Sequence, residues 1–214
     1  MSLEIQRLLQ GHREFRARYF QAGSRLFAEL VQYGQRPQTM VITCADARVD
    51  PAVIFNCQPG ELFIVRNIAN LVPPCEAPDS YHGTSAALEF GVCFLEITEL
   101  IILGHTQCGG IQALLQNAVQ VLPQQSRGFI AKWLELAQPA YAQVQATHAT
   151  ATPAVRAQQC ERAALVHSLH NLTTFPWLGE RLQRGQLAIH AWHFELATGQ
   201  VWRYEQNTGQ WLGE

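Results

Sequence analysis

The sequence predicts an α/β fold: a mostly parallel β-sheet with an antiparallel C-terminal hairpin strand, helices on both faces and an N-terminal helical arm. Three observations predict it. Short apolar runs of strand character alternate with longer stretches of helical period. Strands separated by helices in this way belong to sheets covered on both faces. At the end, two strand-like runs over 187–195 and 201–204 flank Thr198-Gly199, a hairpin signal.

Taken in order, residues 2–33 carry apolar side chains at Leu3, Ile5, Leu8 and Leu9, then Phe15, Tyr19 and Phe20, then Leu26, Leu30 and Val31. That is the period of one or two helices, with more apolar surface than a solitary surface helix needs, and it suits an arm packed on another subunit. Residues 40–44 and 62–66 read as the first two strands. Residues 84–96 read as a helix through Ala86, Ala87, Phe90 and Phe94, and 100–103 as a third strand. A helix over 109–121 follows, then Ala/Gln-rich helical stretches across 125–150 and 153–174. Pro and Gly clusters at 51, 59–60 and 73–83 mark connections rather than a boundary, so residues 1–214 are expected to form one domain with 1–33 as its arm.

Composition narrows the function classes. Of 214 residues, 48% are apolar and only 15% charged, which allows an ample core and implies that a partner subunit covers part of the surface. A formal net charge of −2 without a Lys/Arg cluster gives no pull towards nucleic acid. No apolar run is long enough to span a bilayer, and the N-terminus has early charges and no secretory h-region, so no membrane association is expected. Six cysteines are spread through a chain large enough to need no staples, which implies a reducing, cytoplasmic compartment with free or ligating thiols.

Two of the predicted strands end in potential ligands. The first runs into Cys44-Ala-Asp46-Ala-Arg48, the third into Gly104-His105-Thr-Gln-Cys108-Gly109-Gly110. Sites in open α/β sheets form beyond the carboxyl ends of strands, where the strand order reverses. Thiolate and imidazole suit zinc, and three protein ligands, Cys44, His105 and Cys108, leave a position for water, the catalytic rather than structural pattern. Cys57 and Cys75 have the right chemistry for a fourth ligand but lack a paired spacing. If the extended strand runs on past Cys44, alternation puts Cys44, Asp46 and Arg48 on one side. Arg48 would then hold Asp46 ionised as an acceptor, and a released Asp46 could bind the metal itself. The amides of Gly109 and Gly110, at a helix start, favour the Cys108 thiolate and a nearby anion. A phosphatase loop is excluded, because it needs five residues between Cys and Arg and Arg48 is only four after Cys44. His82 lies in a polar loop; His190 and His193 read as structural strand residues, and His12, His148, His167 and His170 as helix surface or core. Cys57, Cys75, Cys93 and Cys160 read as free thiols.

These motifs are similar to those of the β-carbonic anhydrases, and the chain resembles that family from Gln35 through the terminal hairpin. Cys44-Ala-Asp-Ala-Arg48 stands where the family has Cys-Ser-Asp-Ser-Arg, and Gln58-Pro-Gly-Glu-Leu-Phe-Ile-Val-Arg-Asn-Ile-Ala-Asn70 and the Gly104 to Gly110 run match it closely. His190-Ala-Trp192 resembles the family's His-Gly-Trp strand. The resemblance implies Cys44, His105 and Cys108 as zinc ligands, one Zn2+ per subunit, and Asp46 with Arg48 as catalytic dyad. It further implies that Gln35, Phe63, Ile68 and Phe90 line a substrate pocket across a dimer interface, beside Gly109 and Gly110. Phe90 replaces a Tyr common in plant-like members, and 72–83 looks closer to that branch than to the bicarbonate-inhibited one. The implied function is reversible hydration of CO2 to bicarbonate and a proton by a homodimer or dimer-based oligomer. Two alternatives stay open: hydrolysis of carbonyl sulfide or carbon disulfide on the same zinc chassis, and a non-catalytic zinc- or bicarbonate-binding assembly module.

Overall fold

The computed structural model describes residues 1–21, 23–76, 82–117 and 128–214. The last residues of the expected helix over 109–121, the first of that over 125–150 and part of the 73–83 connection lie outside the described residues. Contacts divide the chain into two units, Met1–Arg36 and Pro37–Glu214. In the first, helix α1 (Leu3–Arg16) starts at Ser2, whose hydroxyl accepts from the Ile5 N–H, and runs on through a wider π turn at Ala17–Gln21. Helix α2 (Leu26–Tyr33) follows. The rings of Phe15, Tyr19, Phe20 and Phe27 gather with centroids 4.8–6.0 Å apart, yet neither helix has a buried residue.

The second unit is built on a six-stranded sheet of order β2-β1-β3-β4-β5-β6. Its strands are β1 (Thr39–Cys44), β2 (Leu62–Asn67), β3 (Glu99–His105), β4 (Ala188–Phe194), β5 (Val201–Glu205) and β6 (Gln210–Gly213). The first four are parallel; β5 and β6 run antiparallel as a meander. The sequence reading has one terminal hairpin, and the structure adds β6. That strand is four residues long and mostly exposed, so it carries no apolar alternation; pairing with β5, Tyr204 opposite Trp211, holds it.

The helices are α3 (Pro51–Ile54), α4 (Gly83–Glu89, extended by a π turn at Phe90–Phe94), α5 (Gly109–Leu115), α6 (Gly128–Leu134), α7 (Gln138–Thr147), α8 (Pro153–Leu172) and α9 (Pro176–Gln183). The sequence reading does not include α9; Pro176 at its first turn sets its start. Strand alternation sends Met40, Ile42, Leu100 and Ile102 to one face, against Leu88, Val92, Leu165, Leu169, Leu172 and Leu178 of α4, α8 and α9. Each such side chain, taken fully out of water, contributes about 1.5–3 kcal/mol. Val41, Ile101 and Leu103 point to the other face, onto Val49, Ile54 and Phe55 around α3. From β1 the chain passes to β2 on one side and then to β3 on the other, so the strand order reverses between β1 and β3. A crevice beyond their carboxyl ends is the consequence.

Candidate metal centre

Cys44 is the last residue of β1 and His105 the last of β3; Cys108 caps α5. Their ligand atoms all lie within 4.8 Å of one another, the three residues are buried, and the two sulfurs are 4.0 Å apart. A tetrahedral zinc with bonds of about 2.3 Å would hold two sulfurs about 3.8 Å apart. The imidazole is already set for such an ion. Its Nδ1 lies 2.8 Å from the Thr106 carbonyl, which only accepts, so Nδ1 carries the proton and Nε2 the lone pair. Among the described residues that buried Nε2 has no hydrogen-bond partner. A buried lone pair beside two thiols is a donor set that fits a metal ion.

The electrostatics favour a cation. The hydrogen bond from Cys108 lowers the Cys44 pKa against its burial, aided by His105 and by the amides of Asp46 and Ala69. The same hydrogen bond and burial push Cys108 up, while the amides of Gly110 and Ile111 face its sulfur and draw it down. Burial works against a charged His105, but Cys44, the Thr106 carbonyl and Asp46 outweigh it and raise its pKa. Cys160, nearby in the same apolar cluster, is pushed up to about 11 by burial and by Glu161, which keeps it a thiol.

Asp46 reaches the pocket by a turn, not by a continued strand. Extended pairing stops at Cys44, and Val49 N–H closes back onto the Asp46 carbonyl at 3.0 Å. Arg48 then grips the carboxylate: its amide and Nε donate to Oδ1 at 2.9 and 3.0 Å, and Nη2 donates to Oδ2 at 2.8 Å. Nη2 also reaches the Gln107 carbonyl, tying the two ligand loops together. Arg48 in this way holds the Asp46 carboxyl well below the usual carboxylate range. Oδ2 lies 3.9 Å from His105 Nε2. The turn has an anchor that sequence reasoning missed. Arg66, on β2, donates to the carbonyls of Cys44 and Asp46 at 3.2 and 2.7 Å and lies 3.5 Å from the Asp50 carboxylate.

The other candidates divide. Gly110 touches the centre from beneath: a Cβ there would stand 2.9 Å from the Ala69 Cβ and 3.0 Å from Ile68 Cγ2. Gly109 is exposed at the same helix start. Ile68 lies beside them, 42% exposed, its carbonyl taken by Trp133 Nε1 at 2.8 Å. Phe63 pairs with Met40 near the other end of the strands, four residues before Asn67, the partner of Cys44, and so about 13 Å along the sheet. The Phe90 ring is 5.9 Å from that of Phe63, so both lie away from this chain's own ligands. Gln35 is exposed and belongs to the N-terminal unit.

Fold and site define a mostly parallel sheet with, at its switch point, a pocket of two thiols and one imidazole that could hold a metal ion. Residues 39–201 match the family model described as carbonic anhydrase, and the chain belongs to the β-carbonic anhydrase family. It is 39% identical over 160 residues to beta carbonic anhydrase 5, chloroplastic, of Arabidopsis thaliana, a match that covers 75% of this chain and 52% of that protein. The chain thus spans about half the length of that plant relative. It is 33% identical over 204 residues to a carbonic anhydrase of Synechocystis sp., covering 94% of this chain and 71% of the relative. The solved structure of the β-carbonic anhydrase CcaA superposes with a TM-score of 0.90 at 30% identity, covering 99% of this chain and all of that one.

Proposed function

We propose that this chain is a zinc-dependent enzyme that hydrates CO2 reversibly to bicarbonate and a proton, with Cys44, His105 and Cys108 holding one Zn2+ per subunit. The observation that carries the reading is the Asp46 carboxylate clamped by Arg48 beside a three-donor pocket, since a structural metal would need no such pair. Zinc bound by these residues would acidify a water so that a nucleophile exists near neutral pH. The chain's own residues do the rest. Oδ1 of Asp46 already accepts two hydrogen bonds and Oδ2 only one, which leaves one lone pair on Oδ2, on the side of His105. That lone pair is placed to accept a hydrogen bond from a hydroxyl held in the pocket and would so orient it towards the CO2 carbon. Arg48 meanwhile keeps Asp46 from becoming a fourth ligand.

Ile68 and the amides of Gly109 and Gly110 border the position where substrate would sit. Phe63, Phe90 and Gln35 complete the pocket in this reading across a dimer interface, since Phe63 and Phe90 lie far from their own chain's ligands. Residues 1–33 act as an arm on a single domain. All six cysteines are free, which fits a reducing compartment such as the cytoplasm. Stopped-flow turnover of CO2, carbonyl sulfide and carbon disulfide on one zinc-loaded sample tests the function. CO2 hydration should dominate; carbonyl sulfide or carbon disulfide turnover with negligible hydration would replace the proposal with hydrolysis on the same chassis.

A further inference from the structure

Behind Cys108 lies a buried polar pair that the ligand set does not use. Glu161 projects from the inner face of α8, among Ala157, Ala164 and Leu165, and is 4% exposed; His193 of β4 is wholly buried. Glu161 Oε1 accepts the Cys108 N–H at 3.1 Å, and Oε2 lies 3.2 Å from His193 Nε2. A carboxylate only accepts, so Nε2 donates, and the other ring nitrogen has no partner among the described residues. The neighbouring Arg162 is directed elsewhere, over the rings of Trp202 and Trp211.

Such a pair is a poor device for stability, because apolar residues of similar volume commonly serve a core as well or better. It is well placed to hold one amide. The chain between His105 and Cys108 leaves the strand through Gln107 at φ +57°, and Cys108 must then turn its sulfur to the amides of Gly110 and Ile111. Its own N–H is thereby directed towards α8, where without Glu161 it would be buried and unpaired. We infer that Glu161, itself held by His193, is a positioning residue for the metal ligand Cys108, and that this relay sets how tightly the centre holds zinc. The inference rests on the zinc reading above.

The test measures zinc affinity by competition with a chromophoric chelator, and thiolate-to-cobalt absorption of the Co2+-loaded protein, for the parent, E161L and E161Q, with C108A as control. E161L fills the space but leaves the Cys108 amide unpaired; it should lose about 10–100-fold in zinc affinity and alter the cobalt band. E161Q keeps an acceptor oxygen and should recover to within about threefold of the parent. E161L matching the parent in both readouts, or E161Q falling as far as E161L, would overturn the inference. If E161L does not fold, H193L and H193Q replace it: a loss of about tenfold in H193L, recovered by the N–H donor of H193Q, supports the relay, and no loss overturns it. A parent that binds zinc no better than C108A would instead overturn the zinc reading, and the inference with it.

Discussion

Arg48 fills three of the acceptor positions of the Asp46 carboxylate and leaves one open on Oδ2. With the carboxyl held well below the usual range, chiefly by the Arg48 hydrogen bond and against burial, the sign of the linkage is settled. A depressed folded pKa contributes stability above the unfolded value near 3.9 and loses it as the pH falls through the lower folded value. The Asp46 carboxyl 13C signal should therefore keep its ionised position from neutral pH down to about pH 4, where a free aspartate is about half protonated. A midpoint at or above the ordinary value would contradict the clamp. That Cys44, His105 and Cys108 gather beside an Asp46–Arg48 pair was legible in sequence because each cluster follows an apolar run of buried-strand character. The route of Asp46 into the site was not: alternation along a strand would have sufficed, but the structure uses a turn pinned by Arg66, which lies 20 residues away in sequence. Glu161 was missed for the same reason of distance. Its one signal is a carboxylate in line with Ala157, Ala164, Leu165 and Ser168 on the core face of α8.

At the scale of elements, the centre depends on α5 starting hard against the segment after β2. Ala69 and Asn70 take positive φ there, at +62° and +50°, and Gly110 is what allows the approach. Neither neighbouring contact is the end of a flexible side chain, so G110A must move backbone. We expect it to destabilise the zinc-loaded protein by about 1–3 kcal/mol in chemical denaturation, whereas parent-like stability would show the contact to be slack. Strands β1 and β3 were readable because burial on both faces leaves continuous apolar runs. By contrast, β6 is exposed and exists by pairing, and the close approach at Gly110 is a tertiary fact with no local pattern.

For the whole molecule, two exposed apolar surfaces ask for cover. The helices of the N-terminal unit bury none of their residues, with Leu3 84% and Phe20 55% exposed. In the second unit Phe90 and Phe94 stack at 5.5 Å with 42% and 72% of their surface open. Surfaces of this kind mark association, and light scattering should return a dimer or larger; a monomer would remove the shared-pocket part of the proposal. If Cys44 and Cys108 bind zinc as thiolates they would cancel its charge, so water there should be less acidic than at an all-histidine centre and activity should rise on the alkaline side of neutral. The most direct measurement is stopped-flow CO2 hydration by the parent and D46N, each with its zinc content determined. We expect about one zinc per chain in both, an alkaline rise in the parent, and a rate at least about 100-fold lower in D46N. A D46N protein as fast as the parent at equal zinc, or hydration that survives removal of the metal, would contradict this.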